Sequence, residues 1–557
     1  MRKTVFPSSV ALAAILVVTG CVPMLRPVAE TRPYGGPYDV LLVNARIVDG
    51  TGNPWYRGDI AISGDRVAVI APSLRDARAR RVIDVHDMVV APGFIDMLGH
   101  SEYALLTTPH APSKITQGIT SEITGEVESA WPNTVATVRE TRAAQPWRSL
   151  DGYFRHLEST GTAINLGTYV AAGSVRRAVI GDASRHPSAA ELAAMGALVD
   201  SAMRDGAMGF STGLIYPPTT FFSTEELTAL TRYAAARGGG YASHIRSEGD
   251  GLLDAIREAI HIGHGAGTWI EIRHLKSHSL PQMRQAVALI DSARRAGIDI
   301  TADQYPYIAS GTGLSAILPP WVQAGGTDSM LARLIDPAVC AQLRTARERD
   351  TAGTRGAAYT MVNEVRTDSL KQYEGKRLDE IGRMRGEDPY NAAYDILVAD
   401  RGATSAMYFS WNEDALRLVM QQPWVAVGQD AGVASPDSEG APVRRGHPRA
   451  FGTFPKILGR YVRQDSVLTL EAAVRKMTSL AAQRVGLHDR GVLSPGKYAD
   501  IVVFDPATII DRATYERPRQ LSTGMLYVFV NGVAVVDSGR MTSALPGRSL
   551  RGPGYVP

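Results

Sequence analysis

Ionisable residues recur at positions where apolar, strand-like runs end. His244 and His274 each close such a run, Asp303 and Asp430 close two more, and Glu126 ends another. In a barrel of parallel strands the carboxyl ends meet at one mouth, where active sites lie. We therefore expect these side chains, although far apart in the chain, to converge on one site.

The residue types indicate which chemistry such a site could perform. Neutral imidazoles and a carboxylate are good ligands for zinc, and a catalytic zinc keeps a position open for water. A further carboxylate such as Asp430 can take a proton from that water and return it to a leaving nitrogen. A single histidine or aspartate at a strand end is more often a helix cap or a satisfied polar group. The convergence of several favours a metal-dependent hydrolytic site.

The middle of the chain must position these residues, and it alternates strands with amphipathic helices. This alternation predicts βα units and a parallel sheet, and about eight units favour a (β/α)8 TIM-like barrel. The predicted helices are Ser188–Arg204, Thr224–Ala236, Leu252–His261 and Gln282–Ala296. Nine strands are predicted, so one is wrong or belongs to an insertion: Val89–Met97, Ile119–Glu126, Ile164–Ala171, Ala207–Ser211, Tyr241–His244, Trp269–His274, Ile298–Asp303, Met407–Ser410 and Val425–Asp430.

The two ends of the chain have a different texture from the middle. Short alternating strands in 38–90 and again in 486–550 predict a small β-sandwich domain formed by both ends, with the barrel in 91–485. Residues 321–404 break the barrel's alternation and are partly helical at Ser329–Arg347. We interpret them as an inserted subdomain that could act as a lid.

The N-terminus resembles a targeting segment. A positively charged start and an apolar run, Val10–Val18, too short to span a bilayer, predict a signal peptide over residues 1–20. Small residues before Cys21 are typical of a bacterial lipoprotein, although an ordinary signal peptide cut nearby is the alternative. The proline-containing residues 21–37 are predicted to form a tether. We expect an exported protein, held by lipid on Cys21 at a bacterial membrane and facing the periplasm or the cell exterior.

Composition limits the remaining function classes. The chain has 557 residues, which fits a large barrel with a satellite domain. A net charge of +3, with no block of lysine and arginine, gives no indication of nucleic-acid binding. There are two cysteines, so acylation of Cys21 leaves Cys340 without an intramolecular disulfide partner. The expected partner is a small-molecule substrate, and the oligomeric state stays open.

Several motifs, in their order along the chain, resemble the amidohydrolase superfamily and, within it, the N-acyl-D-amino-acid deacylases. The resemblance covers nearly all of residues 38–555. The matching stretches are Ala91-Pro-Gly-Phe-Ile-Asp96, Gly206-Ala-Met-Gly-Phe-Ser-Thr-Gly-Leu-Ile-Tyr-Pro-Pro218, Tyr241-Ala-Ser-His-Ile-Arg-Ser-Glu248, His274-Leu-Lys276, Asp303-Gln-Tyr-Pro-Tyr307, Gly428-Gln-Asp430, His447-Pro-Arg-Ala-Phe-Gly-Thr-Phe-Pro455, Asp489-Arg-Gly491 and Pro495-Gly-Lys-Tyr-Ala-Asp500.

The resemblance implies a barrel with a small β-sandwich and hydrolysis of an N-acyl-amino acid, of the D form in this family. It implies that His244 and His274 are metal ligands and that Asp430 is the general base and acid. The residues that it implies to orient the substrate are Tyr216, Lys276 and Arg449. An arginine fork suits the amino-acid carboxylate, although a structural ion pair is the alternative for Arg449. For Lys276 the alternative is a buried lysine that the backbone satisfies.

Two positions depart from the family pattern. Where the family has Asp-x-His-x-His, this chain has Asp96-Met-Leu-Gly-His100, so Leu98 replaces the first histidine. Where many relatives have a cysteine ligand, this chain has Val127, next to Glu126. We expect Glu126 to complete a site for one zinc ion with the two histidines, a known ligand set, and the alternative is that His100 does so. A second ion, or a different divalent metal, stays open.

Two other functions remain to be weighed. The same barrel could hydrolyse a cyclic amide or a dipeptide, but loss of the first-strand histidine pair disfavours this. A degenerate, non-catalytic binding lipoprotein is the other alternative, and Leu98 and Val127 motivate it. Intact His244, His274 and Asp430 argue against that second reading.

Overall fold

The computed structural model describes residues 37–133, 146–349, 356–438, 440 and 443–557. The predicted signal peptide, Cys21 and all but the last residue of the predicted tether lie outside the described residues. None of the helices in the described part combines the length and apolar character needed to cross a bilayer.

Both ends of the chain build one nine-stranded sheet, in which the strand Ile501–Phe504 pairs with the strand Val89–Pro92 and so joins the two termini. Apolar residues of the two ends share one core, in which Leu42 and Ile60 pack with Val503 and Phe529. This sheet is the small β domain expected from the sequence. Its strands are β1 (Tyr38–Ile47), β2 (Tyr56–Ser63), β3 (Arg66–Ala71), β4 (Ala79–Asp84), β5 (Val89–Pro92), β18 (Ile501–Phe504), β19 (Met525–Val530), β20 (Val533–Asp537) and β21 (Arg540–Met541).

The middle of the chain forms the predicted (β/α)8 barrel of parallel strands. The barrel closes where Met97 N–H donates to the Val427 carbonyl over 3.1 Å and Asp430 N–H donates to the Leu98 carbonyl over 2.6 Å. The barrel has eight strand positions, and β8 and β9 share one of them because the strand is interrupted at Tyr169. The strands are β6 (Phe94–Asp96), β7 (Ile119–Thr124), β8 (Asn165–Thr168) with β9 (Val170–Ala171), β10 (Gly209–Gly213), β11 (Gly240–His244), β12 (Ile270–Ile272), β13 (Ile300–Gln304) and β17 (Val425–Val427).

Local sequence sets the barrel's helices. Ser188 and Ser223 each cap a helix and form a capping box with the glutamate three residues on, which satisfies amide groups left free in the first turn. In Leu252–Ala266 the buried positions follow one apolar face. The helices around the barrel are Leu150–Thr160, Ala172–Ile180, Ala189–Arg204, Thr224–Ala235, Leu252–Ala266, Leu280–Arg295, Glu413–Met420, Leu470–Met477 and Ser479–Arg484; Pro112–Ile115 and Arg449–Lys456, which continues as a π-helix over Ile457–Gln464, lie near its mouth.

The inserted subdomain lies between β13 and β17 and has its own hydrophobic core, from Leu314 to Tyr408. It is therefore wider than the expected range 321–404. Its elements are β14 (Ser310–Gly313), β15 (Thr360–Glu364) and β16 (Ser405–Tyr408), which form an antiparallel sheet, and the helices Pro320–Gln323, Gly326–Leu334, Pro337–Arg349, Leu378–Arg385 and Pro389–Ala399. Short 3-10 helices cover Ala104–Leu106, Thr219–Phe221, Leu314–Ile317 and Asp368–Tyr373.

Four predicted boundaries need correction. The predicted strand Met407–Ser410 is β16 of the insertion, because it pairs antiparallel with β14 and β15. The predicted strand Val89–Met97 is two strands, since the chain leaves the outer sheet after Pro92 and enters the barrel at Phe94. The predicted helix Ser329–Arg347 is broken before Pro337, where the proline begins a new helix. The predicted C-terminal part of the β domain, 486–550, extends too far, because residues near 550 lie against the barrel: the Leu550 N–H donates to the Leu166 carbonyl over 2.7 Å.

Candidate active site

A cavity of about 410 Å³ opens at the carboxyl ends of the barrel strands, between the barrel and the inserted subdomain. All the residues that the sequence singled out as ligands, base or substrate contacts line it. They are His100, Glu126, Tyr216, His244, His274, Lys276, Asp430 and Arg449. The convergence expected from strand ends is therefore present for His244, His274, Asp430 and Glu126, whereas Asp303 is not among the lining residues.

Three buried side chains form a compact group on one side of this cavity. Oε1 of Glu126, which follows β7, lies 3.1 Å from Nε2 of His274 and 3.6 Å from Nδ1 of His244. Within the described residues, Oε1 of Glu126 and both ring nitrogens of His244 have no hydrogen-bond partner. Burying polar atoms without partners is costly unless something else binds them. Two imidazoles and a carboxylate facing one another in this way fit a zinc ion.

A second group faces the first and shares Glu126 with it. His100 Nε2 lies 3.0 Å from Oδ1 of Asp430 and 3.8 Å from Oε2 of Glu126. Arg449 Nη1 lies 2.6 Å from the other oxygen of Asp430. Asp430 thus lies between an imidazole and a guanidinium, across the Glu126 carboxylate from the histidine pair.

The backbone also marks this region. His274 and Asp430 both adopt positive φ, 36° and 55°, a region that non-glycine residues rarely occupy. Such conformations persist where surrounding structure holds them, and they cluster at functional sites. Asp303 supplies part of that support, because its Oδ1 accepts from the His274 N–H over 2.8 Å. Asp303 is therefore a support beneath the site rather than a residue of the cavity wall.

The electrostatics keep the site's carboxylates ionised. Burial by itself would raise the pKa of Asp430, but Arg449 and the hydrogen bond from His100 outweigh it and hold that pKa below its usual value. Burial would likewise lower the pKa of His100, yet Asp430 and Glu126 prevail and raise that pKa to about 9. Burial would raise the pKa of Glu126, but the two histidine rings beside its carboxylate outweigh it and hold that pKa well below its usual value. Asp430 is therefore available as a proton acceptor at neutral pH.

Lys276 is held by neighbours rather than directed freely into the cavity. Its Nζ lies 2.5 Å from Oε1 of Glu248 and 2.6 Å from Nδ1 of His274. Glu248 in turn lies 2.9 Å from Nδ1 of His274. A ligand histidine is commonly oriented by a carboxylate at its other ring nitrogen. Lys276 and Glu248 together hold the His274 ring with Nε2 toward Glu126.

Arg449 is the first residue of its helix, and three contacts hold it in addition to its ion pair with Asp430. Its backbone N–H donates to Nδ1 of His447 over 3.0 Å, and its Nη2 donates to the Gly311 carbonyl over 3.1 Å. Its guanidinium lies 4.9 Å from the centre of the Tyr305 ring. Nε of Arg449 is buried and finds no acceptor in the part of the chain that the structure describes. A carboxylate arriving in the cavity would supply one.

Tyr216 lines the cavity beside the histidines, with its ring edge-on to His244 at a centroid distance of 5.2 Å. Burial raises the pKa of Tyr216, and Glu126 nearby raises it further, so the phenol stays protonated. It can therefore donate a hydrogen bond to an oxygen bound near the histidines. Thr312, from the inserted subdomain, is its hydrogen-bond neighbour.

Sequence reasoning missed several members of the site. Glu248 lies four residues after His244, and His447 lies two before Arg449; both fall in motif stretches that carried a usable signal. The inserted subdomain contributes an entire wall that carried no such signal. Its lining residues are Ser310, Gly311, Thr312, Ser315, Gln323, Gly326, Thr327, Met330, Gly402 and Tyr408.

Comparison with known proteins agrees with this geometry. The sequence model of the "Amidohydrolase family" matches residues 81–536. D-aminoacylase of Alcaligenes xylosoxydans xylosoxydans is 33% identical over 524 residues, which cover 92% of this chain and 98% of the relative. N-acyl-D-glutamate deacylase of the same organism is 35% identical over 525 residues, covering 92% and 96%. The crystal structure of N-acyl-D-glutamate deacylase from Bordetella bronchiseptica, complexed with zinc and a phosphonate mimic of the tetrahedral intermediate, superposes with a TM-score of 0.78 at 33% identity and covers 93% of this chain and 100% of its own.

Proposed function

The chain belongs to the amidohydrolase family, and from this premise we propose that it is a zinc-dependent N-acyl-D-amino-acid deacylase. It would hydrolyse the amide of an N-acyl-D-amino acid to a free amino acid and a carboxylic acid. The relatives that cover nearly all of the chain are deacylases of this kind, and the D form rests on them.

One observation carries the proposal. The group of Glu126, His244 and His274 faces an ionised Asp430 across the same cavity, and within the described residues Oε1 of Glu126 and both ring nitrogens of His244 lack a hydrogen-bond partner. The cavity also contains Arg449, a buried cation with a free Nε. A metal site, a proton acceptor and an anchor for a carboxylate are the parts that hydrolysis of an N-acyl-amino acid requires.

Glu126, His244 and His274 would hold one zinc ion. A zinc ion bound there supplies Lewis-acid chemistry, polarising an amide carbonyl and making water a stronger nucleophile at neutral pH. A second ion in the His100 group is disfavoured, because the Arg449 guanidinium lies 2.6 Å from Asp430 and already places a positive charge there. The neighbouring Leu98 offers no ligand atom.

The chain's own residues would then divide the remaining work. Arg449 binds the carboxylate of the amino acid and so fixes the amide relative to Asp430. Tyr216 donates a hydrogen bond to the carbonyl oxygen as negative charge develops on it. Asp430 accepts a proton from the attacking water and delivers it to the amide nitrogen as the C–N bond breaks. The products are a free amine and a carboxylate.

A metal analysis and a substrate panel test the proposal. Purified protein should contain about one zinc per chain and should hydrolyse N-acetyl-D-amino acids, whereas N-acetyl-L-amino acids, hydantoins and dipeptides should react far more slowly. Zinc-loaded protein that hydrolyses no N-acyl-amino acid of either hand would overturn the substrate assignment. Two ions per chain, with turnover of hydantoins, would instead support a cyclic-amide hydrolase.

We further propose that the protein is exported and anchored by lipid on Cys21, on the support of the N-terminal sequence pattern alone. Expressed in a bacterium with labelled fatty acid, the full chain should incorporate label and sediment with membranes. Cys21→Ala should abolish both without changing the specific activity. Release of unlabelled wild-type protein into the soluble periplasm would indicate an ordinary signal peptide.

A further inference from the structure

The cavity has three arginine or lysine residues among its described lining residues, and the pairing of each bears on which substrates can enter. Arg449 pairs with Asp430, and Lys276 pairs with Glu248. The third is Arg177, on the helix Ala172–Ile180 and distant in sequence from the motifs of the site. The α-carboxylate of the substrate would bind Arg449. Arg177 and Lys276 therefore decide whether the cavity accepts a second anionic group of the substrate.

In the part of the chain that the structure describes, Arg177 contacts the carboxylates of Asp182 and Glu128. Its Nε lies 2.8 Å from Oδ1 of Asp182, and its Nη1 forms an ion pair with Glu128. Asp182 is fixed in turn against the inserted subdomain, because its carbonyl accepts the Gly325 N–H over 3.0 Å. Among the described residues, the cation Arg177 and its two anionic partners, Asp182 in the cavity wall and Glu128 beside it, form a group with a net negative charge.

The ammonium of Lys276 is not available for a second substrate anion either, because Glu248 and His274 already lie within 2.6 Å of it. The wall from the inserted subdomain adds hydroxyl, amide, thioether and phenol groups, such as Ser315, Gln323 and Met330, and no charge among the described lining residues. His100, whose pKa is raised to about 9, is likewise paired, because its Nε2 lies 3.0 Å from Oδ1 of Asp430. A second anionic group would therefore lose its hydration and find each of these cations already paired with a carboxylate.

We propose, on the basis of the deacylase function above, that this cavity selects N-acyl-amino acids whose side chain and acyl group carry no negative charge, and that Asp182 and Glu128 enforce this by neutralising Arg177. The α-carboxylate is then the one anion of the substrate. Specificity of this kind combines an attractive site for one group with a repulsive element against a competitor.

Matched substrate pairs test the inference. N-acetyl-D-glutamine and N-acetyl-D-glutamate have nearly the same shape and differ in charge, as do N-acetyl-D-asparagine and N-acetyl-D-aspartate. The neutral member of each pair, and N-acetyl-D-methionine, should have a kcat/KM at least about tenfold above the acidic members. Equal or faster hydrolysis of the acidic members would overturn this inference and leave the deacylase function intact. No turnover of any N-acyl-amino acid of either hand would overturn both.

A substitution assigns the effect to Arg177. Asp182→Asn removes the negative charge of one of the carboxylates beside Arg177 with little change of shape. The ratio of kcat/KM for N-acetyl-D-glutamine to kcat/KM for N-acetyl-D-glutamate should therefore fall about threefold or more, mainly because the acidic substrate is turned over faster. Asp200→Asn is the matched control, because Asp200 pairs with Arg237 outside the cavity. An unchanged ratio in Asp182→Asn, in protein that retains zinc and glutamine turnover, would refute the role of this ion-pair group.

Discussion

The two walls of the cavity are built on different principles. The barrel wall consists of buried, charged side chains at strand ends, with Glu126, His244 and His274 no more than 4% exposed. The described residues of the wall from the inserted subdomain carry no charge, and residues such as Thr312 and Ser315 are half-buried. The barrel holds each ionisable group through strands and a second layer of contacts, whereas the insertion supplies shape and neutral hydrogen bonds.

This difference separates two tasks. Reacting groups must be held within fractions of an ångström, and rigid strands do that better than loops. Substrate fit can be altered by a peripheral subdomain without disturbing the metal ligands. Substitutions in the barrel wall should therefore change kcat or metal content by large factors, while substitutions in the inserted wall should change kcat/KM modestly and leave the metal in place.

Asp430→Asn should have the largest effect on turnover. The amide cannot accept the water's proton, so kcat should fall by about a thousandfold while zinc content and folding stay unchanged. Steady-state kinetics with elemental analysis measure both quantities. Asp465→Asn is the control, since Asp465 pairs with Arg417 away from the cavity. Turnover near the wild-type rate in Asp430→Asn would contradict the proposed role.

Glu126→Ala and His100→Ala should separate the two candidates for the third ligand. Loss of a residue that only hydrogen-bonds to a metal ligand typically weakens metal binding about 10- to 100-fold. Loss of Glu126 as a direct ligand should therefore weaken zinc binding more than about 100-fold. His100→Ala should retain zinc within about tenfold of the wild-type affinity. Chelator competition gives the affinities, with Glu128→Ala as a control on the same loop. The reverse order would make His100 the ligand.

Arg449→Lys tests whether the barrel wall also anchors the substrate. Lysine keeps the positive charge beside Asp430 but loses the planar fork, so KM should rise about 10- to 100-fold with kcat within a few-fold. Arg444→Lys, at an exposed ion pair with Asp437, is the control. A fall in kcat with unchanged KM would mean that Arg449 serves Asp430 and not the substrate.

Zinc uptake should depend on pH through the barrel wall. Burial and Lys276 act to lower the pKa of His274, but Glu248 and Glu126 prevail and raise that pKa to about 9 in the metal-free protein. A proton and zinc compete for the same nitrogen, so zinc affinity should fall up to about tenfold per unit as pH decreases below 9 and level off above it. Glu248→Gln should move the break to lower pH. Affinity that is flat from pH 7 to 9 would contradict this.

The barrel wall could be predicted from the sequence because its chemistry is local. For a histidine or carboxylate at the end of an apolar run, the run predicts the position at a strand end and the residue type predicts the chemistry. This reasoning located His244, His274, Asp430 and Glu126. Asp303 shows the limit of that reasoning. It ends a strand in the same way, yet it lies beneath the site and accepts the His274 N–H.

The inserted wall could not be predicted, because serine, threonine and glutamine have no distinctive reactivity and tertiary packing alone brings them to the cavity. The same holds for Arg177 and its partners Asp182 and Glu128, because nothing in their chain spacing indicates a cavity. Of the two partners, Asp182 is held against the insertion, where its carbonyl accepts the Gly325 N–H. The predicted boundaries of helices were wrong where the backbone changes direction. The single predicted helix Ser329–Arg347 is in fact two helices, and the second begins at Pro337.

Thr312→Val should show the smallest effect and is the sharpest test of the inserted wall. Valine keeps the shape of threonine but removes the hydroxyl that hydrogen bonds with Tyr216. One hydrogen bond contributes about 1 kcal/mol, so kcat/KM should fall about three- to fivefold with zinc content unchanged. Thr345→Val, at an exposed position of the same subdomain, should have no effect. A loss as large as that of Asp430→Asn would mean that the insertion takes part in the chemistry, and the division between the two walls would not hold.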